Sequence, residues 1–250
     1  MDNILYSVDP VIWVKEQIGI EPDQWQADLL LDNHSDIIVN ASRQVGKSST
    51  IALKSLHKAI YRKNSLILII SPSERQSKEL LLKVKQGINS LEIKPGLKED
   101  NKLSIILDND SRIVALPGSE STVRGFSSVN LLIIDEASRI DEELYYATKP
   151  MLAISKGNII LLSTPNGKQG LFYEIWENSD TFKKYRIKAT DCSRISEKFL
   201  EEQRKELGEL MFKQEYMTEF IDNCNQLFSS DLIEKAFVED LEPFDIDLSS

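Results

Sequence analysis

Asp36-Ile37-Ile38-Val39-Asn40-Ala41-Ser42-Arg43-Gln44-Val45-Gly46-Lys47-Ser48-Ser49 is the stretch that decides the fold. It opens on a β-branched run, crosses a loop, and enters a helix-compatible segment, 47–62. There Ile51, Leu53, Leu56, Ala59 and Ile60 keep a partly helical spacing. A loop between a buried strand and a helix N-terminus points several backbone N–H groups into one concavity. The helix dipole makes that concavity a phosphate site. Gly46 allows close approach because it has no Cβ. Lys47 is the point charge for β- and γ-phosphates, and Ser48 offers a hydroxyl to Mg²⁺. Ser42, Arg43, Gln44, Val45 and Ser49 complete the predicted nucleotide-binding loop. Ala41 stands where the usual pattern has its first Gly, and a plain strand–turn–helix is the alternative reading.

Further apolar runs follow at Leu66–Ile70, Leu131–Ile134 and Asn158–Leu162. Runs of this length suit parallel strands buried on both faces. Ser73 followed by Gln76 resembles a capping box and predicts a helix over 74–90. The alternation of such strands with helical stretches argues for an α/β fold with a mainly parallel central sheet flanked by helices. Leu103–Leu107 and Arg112–Leu116 flank a turn at 108–111 and read as an antiparallel addition. From 196 the sequence turns helical and acidic, with Gly208 separating two helices. The expected division is a core over 1–195, a small helical C-terminal lid over 196–228 and a linker over 229–250.

Leu131-Leu132-Ile133-Ile134-Asp135-Glu136 is a buried strand ending in two acids, a costly position unless a cation is served there. Asp135 fits the partner of a Mg²⁺, and Glu136 fits a carboxylate that orients or deprotonates an attacking water. A helix N-cap with an acid in its first turn is the alternative. Ile159 to Leu162 runs into Ser163-Thr164-Pro165-Asn166-Gly167, and strand C-termini line the ligand crevice of such sheets. Ser163 and Thr164 therefore read as sensors that couple phosphate loss to the next segment, or as hydroxyls satisfying a turn.

Composition sets the remaining bounds. The 250 residues are 41% hydrophobic and 28% charged, as in ordinary soluble domains. There is no apolar run of transmembrane length, and the N-terminus does not read as a signal peptide. Cys192 and Cys224, with His34 and His57, make neither a disulfide framework nor an expected zinc site, and point to a reducing compartment. The net charge of −10 sits entirely in 197–250, with 15 acids against 5 bases, so the rest is neutral. Any nucleic-acid contact must be a local patch such as Lys183, Lys184, Arg186 and Lys188, which reads equally as a solvated strand.

The chain resembles the ATPase domain of the large terminase subunit, the DNA-packaging motor of tailed bacteriophages. Six places carry the resemblance: Pro22–Gln26, the Ala41–Ser48 loop with its internal Arg, Val123-Arg124-Gly125, Asp135-Glu136-Ala137, Ser163–Gly167, and Phe212–Tyr216 through Phe220 and Phe228. The resemblance implies a P-loop NTPase fold of the RecA/ASCE kind. It also implies ATP as substrate with Mg²⁺ and hydrolysis driving double-stranded DNA into a procapsid. On it, Gln26 would bond the adenine, with Trp25 nearby or simply in the core. Arg43 would touch the γ-phosphate. Arg124 would be the arginine finger reaching a neighbour's site, with Arg139 its rival.

The implied partners are DNA, the portal and procapsid, the small terminase subunit and copies of the chain in a ring, expected to be a pentamer. The implied place is the cytoplasm of the infected host. A nuclease domain would follow in the family; Asp245 and Asp247 have no sheet after them, so no nuclease activity is expected of this chain. The rival readings are a superfamily-2-like helicase or repair ATPase, and a catalytically dead nucleotide-binding scaffold.

Overall fold

The computed structural model describes residues 2–34, 36–118, 123 and 125–222. Arg124, Cys224, Phe228 and the predicted linker with Asp245 and Asp247 lie outside the described residues. Strands β1 (Asp36–Ala41), β2 (Leu66–Ser71), β3 (Leu97–Asp100), β4 (Ser104–Leu107), β5 (Arg112–Pro117), β6 (Leu131–Asp135), β7 (Asn158–Ser163) and β8 (Lys183–Ile187) form one sheet. Its order is β3-β4-β5-β2-β6-β7-β1-β8. The six strands from β5 to β8 pair in parallel, while β3 and β4 add antiparallel at the β5 edge.

The continuous apolar runs have a simple explanation. Ile37 and Val39, Ile67 and Ile69, Leu131 and Ile133, and Ile160 and Leu162 enter one core. Their neighbours Ile38, Leu68, Ile70, Leu132, Ile134, Ile159 and Leu161 enter the other. Successive side chains point to opposite faces, and both faces are covered. Helices α3 (Gln24–Leu31), α4 (Lys47–Tyr61) and α5 (Glu74–Ser90) cover the first face. Helices α6 (Glu142–Thr148) and α7 (Gly170–Asn178) cover the second. Ahead of α3 come two short helices, α1 (Asp2–Val8) and α2 (Pro10–Trp13), the latter running into a π turn.

Helix α5 starts where the capping box predicts: Ser73 Oγ accepts from the Gln76 N–H and donates to its side chain. Helix α8 (Glu197–Met217) is broken inside by Gly208, whose φ of 75° and ψ of 162° are non-helical. Its halves fold back on each other. Tyr216 Oη donates to Gln203, Phe212 stacks on Tyr216, and Arg204 lies over Phe212. With Leu200 and Ala189 these rings make a small core of their own.

The sequence reading does not foresee β3. All four of its residues are exposed, so no apolar alternation marks it.

Candidate functional site

Three neighbouring parallel strands, β1, β7 and β6, deliver the predicted residues to one edge of the sheet. Asn40 of β1 is in register with Ser163 of β7, and Leu162 of β7 with Asp135 of β6. The strand that ends in Ser163 therefore lies between the loop strand and the acidic strand, and its hydroxyls can touch both sides.

The loop leaves β1 at Ala41 and turns through Gln44 (φ 60°) and Gly46 (φ 104°) into α4. Gly46 is required twice over. Its φ disfavours any side chain, and a Cβ would meet Gln26 Nε2 at 2.9 Å. Lys47 is buried, and its ammonium folds back over the loop. It donates to Thr164 Oγ1 at 2.9 Å and to the Ala41 carbonyl at 3.3 Å, and lies 3.7 Å from Glu136 Oε1.

Asp135 ends β6 and is buried. Burial, and next the charge of Glu136, push its carboxyl up to about 6, with Lys47 pulling the other way. It is not a helix N-cap; its Oδ1 accepts the N–H of Glu136 at 3.1 Å. Glu136 itself sits in the left-handed region, at φ 52° and ψ 45°. A non-glycine residue held there is strained, and such positions gather at functional sites. Its carboxylate also accepts from Ser163 Oγ at 3.4 Å. Ser138, which the sequence reading passed over, ties this cluster together. Its hydroxyl meets Ser163 Oγ at 2.8 Å and the Thr164 carbonyl at 2.9 Å.

These groups open onto a cavity of about 730 Å³. Arg43, Gln44, Gly46, Lys47, Ser48 and Ser49 line it from the loop and α4. Glu136 and Arg139 line it from beyond β6, and Gln76 and Lys83 from α5. Arg139 thus faces the cavity of its own chain. In the sequence Gln76 is read only as the capping-box partner of Ser73, and Lys83 is not singled out.

Behind the loop stands the second half of α8. Ser42 Oγ donates to the Glu215 carbonyl at 3.0 Å, and the Arg43 N–H donates to it at 3.3 Å. The Arg43 guanidinium pairs with the Glu215 carboxylate, which is buried. Asn40 Nδ2 donates to the Thr218 carbonyl at 3.0 Å, and the Gly167 N–H donates to Gln214 Oε1 at 3.1 Å. The predicted lid segment therefore holds both the 42–48 loop and the turn after β7.

The upstream segment reaches the loop from outside. Gln26 is buried, accepts the Asp23 N–H at 2.9 Å and donates to Thr50 Oγ1 at 2.9 Å, so its amide already has protein partners. Trp25 belongs to the first core, and its indole N–H is buried without a hydrogen bond. Arg194, absent from the predicted set, grips Asp23 with both guanidinium nitrogens at 3.1 and 2.9 Å and donates to the Val45 carbonyl at 3.0 Å.

The basic patch on β8 is partly committed: Lys183 pairs with Asp32 at 2.8 Å, and Arg186 bonds Thr218. Among the described residues no group of three or more His, Cys, Asp or Glu could hold a metal alone. No described helix is long and apolar enough to cross a membrane.

A family profile described as terminase large subunit, T4likevirus-type, N-terminal, matches residues 38–235. The large terminase subunits of Thermus virus P23-45 and Thermus phage G20c are each 23% identical over 251 aligned positions, covering 86% of this chain and 52% of theirs. The chain spans about half the length of these curated relatives. Among solved structures, the large terminase ATPase domain of Thermus phage P74-26 is similar at a TM-score of 0.71 and 20% identity, over 85% of this chain and 99% of that one. The HK97 bacteriophage large terminase gives 0.72 at 18% identity, over 86% and 55%. A large terminase from a thermophilic bacteriophage, in complex with ADP, gives 0.65 at 10% identity, over 80% and 53%. At these identities the structural likeness speaks for the fold.

Proposed function

Because this chain belongs to the large terminase subunit family, matched through its N-terminal T4likevirus-type region, we propose that it is a Mg²⁺-dependent ATPase. In this reading its turnover drives double-stranded viral DNA into a procapsid. The observation that carries the reading is the meeting of Lys47, Glu136 and Thr164 beside the buried Asp135, at the ends of three adjacent parallel strands.

The nucleotide's phosphates would lie over the 42–48 loop, at the N-terminus of α4. Lys47 would move from Thr164 toward the β- and γ-phosphates. The metal fits on chemical grounds. Asp135 is a buried carboxyl beside a second carboxylate, with one backbone N–H as its hydrogen-bond donor. Ser48 lines the cavity together with Glu136, the neighbour of Asp135, so Ser48, Asp135 and the nucleotide's oxygens would hold the ion. When bound, Mg²⁺ would supply charge neutralisation across the β- and γ-phosphates.

Glu136 would align a water with the γ-phosphorus and accept its proton, oriented by Ser163 and Ser138. The Lys47–Thr164 bond that returns after phosphate release would report the empty site to the 164–167 turn. Arg43 would trade Glu215 for the γ-phosphate, loosening α8. An arginine finger, Arg124 or Arg139, would complete the site. The finger would come from a neighbour in a ring seated at the portal, with the small terminase subunit as a further partner. Gln26 and Trp25 would flank the adenine.

The test is ATP turnover per subunit across a wide range of chain concentration, with Arg124→Ala and Arg139→Ala alongside. A rise with concentration that Arg124→Ala removes supports completion in trans; loss of an arginine finger costs ~10³–10⁵ in rate. Turnover independent of concentration, and lost in Arg139→Ala alone, overturns the ring arrangement and places the finger in cis.

A further inference from the structure

Helix α4 ends far from where it begins, roughly 20 Å away at the usual rise per residue. At that end lies a second cavity of about 450 Å³. Residues near the N-terminal ends of β1, β6 and β7, the turn at 32–34 and part of the 7–10 segment close it off. Lys54 and Lys58 share a face of the helix, Arg62 follows as its C-cap, and all three line the cavity. His34 and His57, the chain's two histidines, line it as well.

Against these cations the lining holds one carboxylate, Asp32. That group is already taken: it accepts from Tyr185 Oη at 2.6 Å and pairs with Lys183 at 2.8 Å. Lys54 donates to the carbonyls of Leu29, Leu30 and Asp32 at 2.9, 3.1 and 2.7 Å. Lys58 donates to the Asn130 carbonyl at 2.8 Å and to Asn158 Oδ1 at 3.0 Å. These oxygens satisfy the N–H donors but bring no net negative charge. The Arg62 guanidinium has no ion pair among the described residues. Burial first, and for Lys58 the charges of Arg62 and Lys54 next, pull both ammonium groups down to about 8. A chain of net charge −10 thus keeps a pocket of surplus positive charge at the edge of the sheet away from the phosphate loop.

We propose that this cavity binds a small tetrahedral oxyanion of the phosphate class, held by Arg62, Lys58 and the two imidazoles. Arg62 brings a planar fork of donors, and Lys58 has a third proton to give. His57 Nε2 faces the Tyr6 carbonyl at 2.7 Å, and His34 Nδ1 faces the Asp36 carbonyl at 3.1 Å. Each of those nitrogens must carry the proton. The other ring nitrogen is left to gain one when an anion arrives. The volume admits a phosphate with its water, or a pyrophosphate. The inference stands on this cavity alone and does not depend on the proposed ATPase.

The experiment uses the Lys47→Ala chain, which disables the phosphate loop as a competing site, with Lys47→Met in reserve if alanine unfolds it. The C2–H resonances of the two imidazoles report from inside the cavity. Titration with inorganic phosphate at constant ionic strength and fixed pH should shift both C2–H resonances and saturate. Arg62→Ala should weaken that binding about tenfold, as for loss of a charged hydrogen bond. Equal movement with chloride, no movement with phosphate, or an unchanged affinity in Arg62→Ala overturns the proposal. Movement with a short 5′-phosphorylated DNA duplex but not with the free ion overturns it too.

Discussion

At its first residue helix α4 places Lys47 beside Thr164, Glu136 and the buried Asp135. Its last two turns and the residue that follows place Lys54, Lys58 and Arg62 among neutral oxygens and one committed carboxylate. One helix therefore carries two cationic ends with different accounts of charge. At the first, two carboxylates stand beside Lys47, and Arg43, Lys83 and Arg139 line the same cavity, so both signs of charge are present for a cation and a charged ligand. At the second, three cations wait on an anion. Buried charge without a partner is costly, so the balance at each end indicates what each end is shaped to receive.

The largest expected effect breaks the first end. Glu136→Gln should lower ATP turnover by about 10²–10⁴, the usual worth of a general base, while equilibrium ATP binding persists. Retained turnover would remove Glu136 from the water-positioning role.

Next comes the ion pair behind the loop. Arg43→Ala leaves the buried Glu215 carboxylate unpaired and should cost about 1–3 kcal/mol of stability in the absence of nucleotide. Arg43→Ala with Glu215→Ala should recover part of that, read by chemical denaturation. A double variant as unstable as the sum of the singles would mean that the pair is not coupled.

The second end is sharpened by pH. Lys54 and Lys58 lose their protons near pH 8 when folded and near 10.5 when unfolded. Between those values the unfolded chain binds more protons, so stability rises with pH. Tyr185, pushed up to about 12 chiefly by burial, works the other way above pH 10. In phosphate-free buffer, stability should climb from pH 8 to pH 10, by up to about 4 kcal/mol for the two lysines together. Lys54→Met with Lys58→Met should flatten the climb; a wild-type curve that falls over this window contradicts the charge account.

Smallest is Ser138→Ala, which unties Ser163 and the Thr164 carbonyl. It should cost about 0.5–1.5 kcal/mol in thermal or chemical unfolding, with kcat falling more than KM rises. No change in either would make Ser138 a bystander.

Local pattern carried most of the parallel sheet. Each apolar run became a strand within a residue or two, because burial on both faces leaves a continuous signature in sequence. The 103–116 hairpin and the Ser73 cap were legible for the same local reasons. What escaped was set by contacts between distant segments. Glu215 lies within Phe212–Tyr216, recognised as a segment but not as part of the site. Only folding brings its carbonyl to Ser42 and its carboxylate to Arg43. Arg194 and the Lys54–Arg62 face are likewise ordinary surface chemistry in sequence. Their meaning comes from what lies opposite them.

The order of strands also sets a timetable for synthesis. β1 is the first strand of this sheet in chain order, yet its partners are β7 and β8. At usual rates of translation it waits on the order of 10 s for Asn158–Ser163 to appear. Until then β2 can pair with β5 and with β6, but β1 has both edges open. The 42–48 loop that follows β1 has no neighbouring strand to frame it during that interval. An apolar strand therefore stays unshielded through most of translation, the interval in which edge-to-edge aggregation competes with folding.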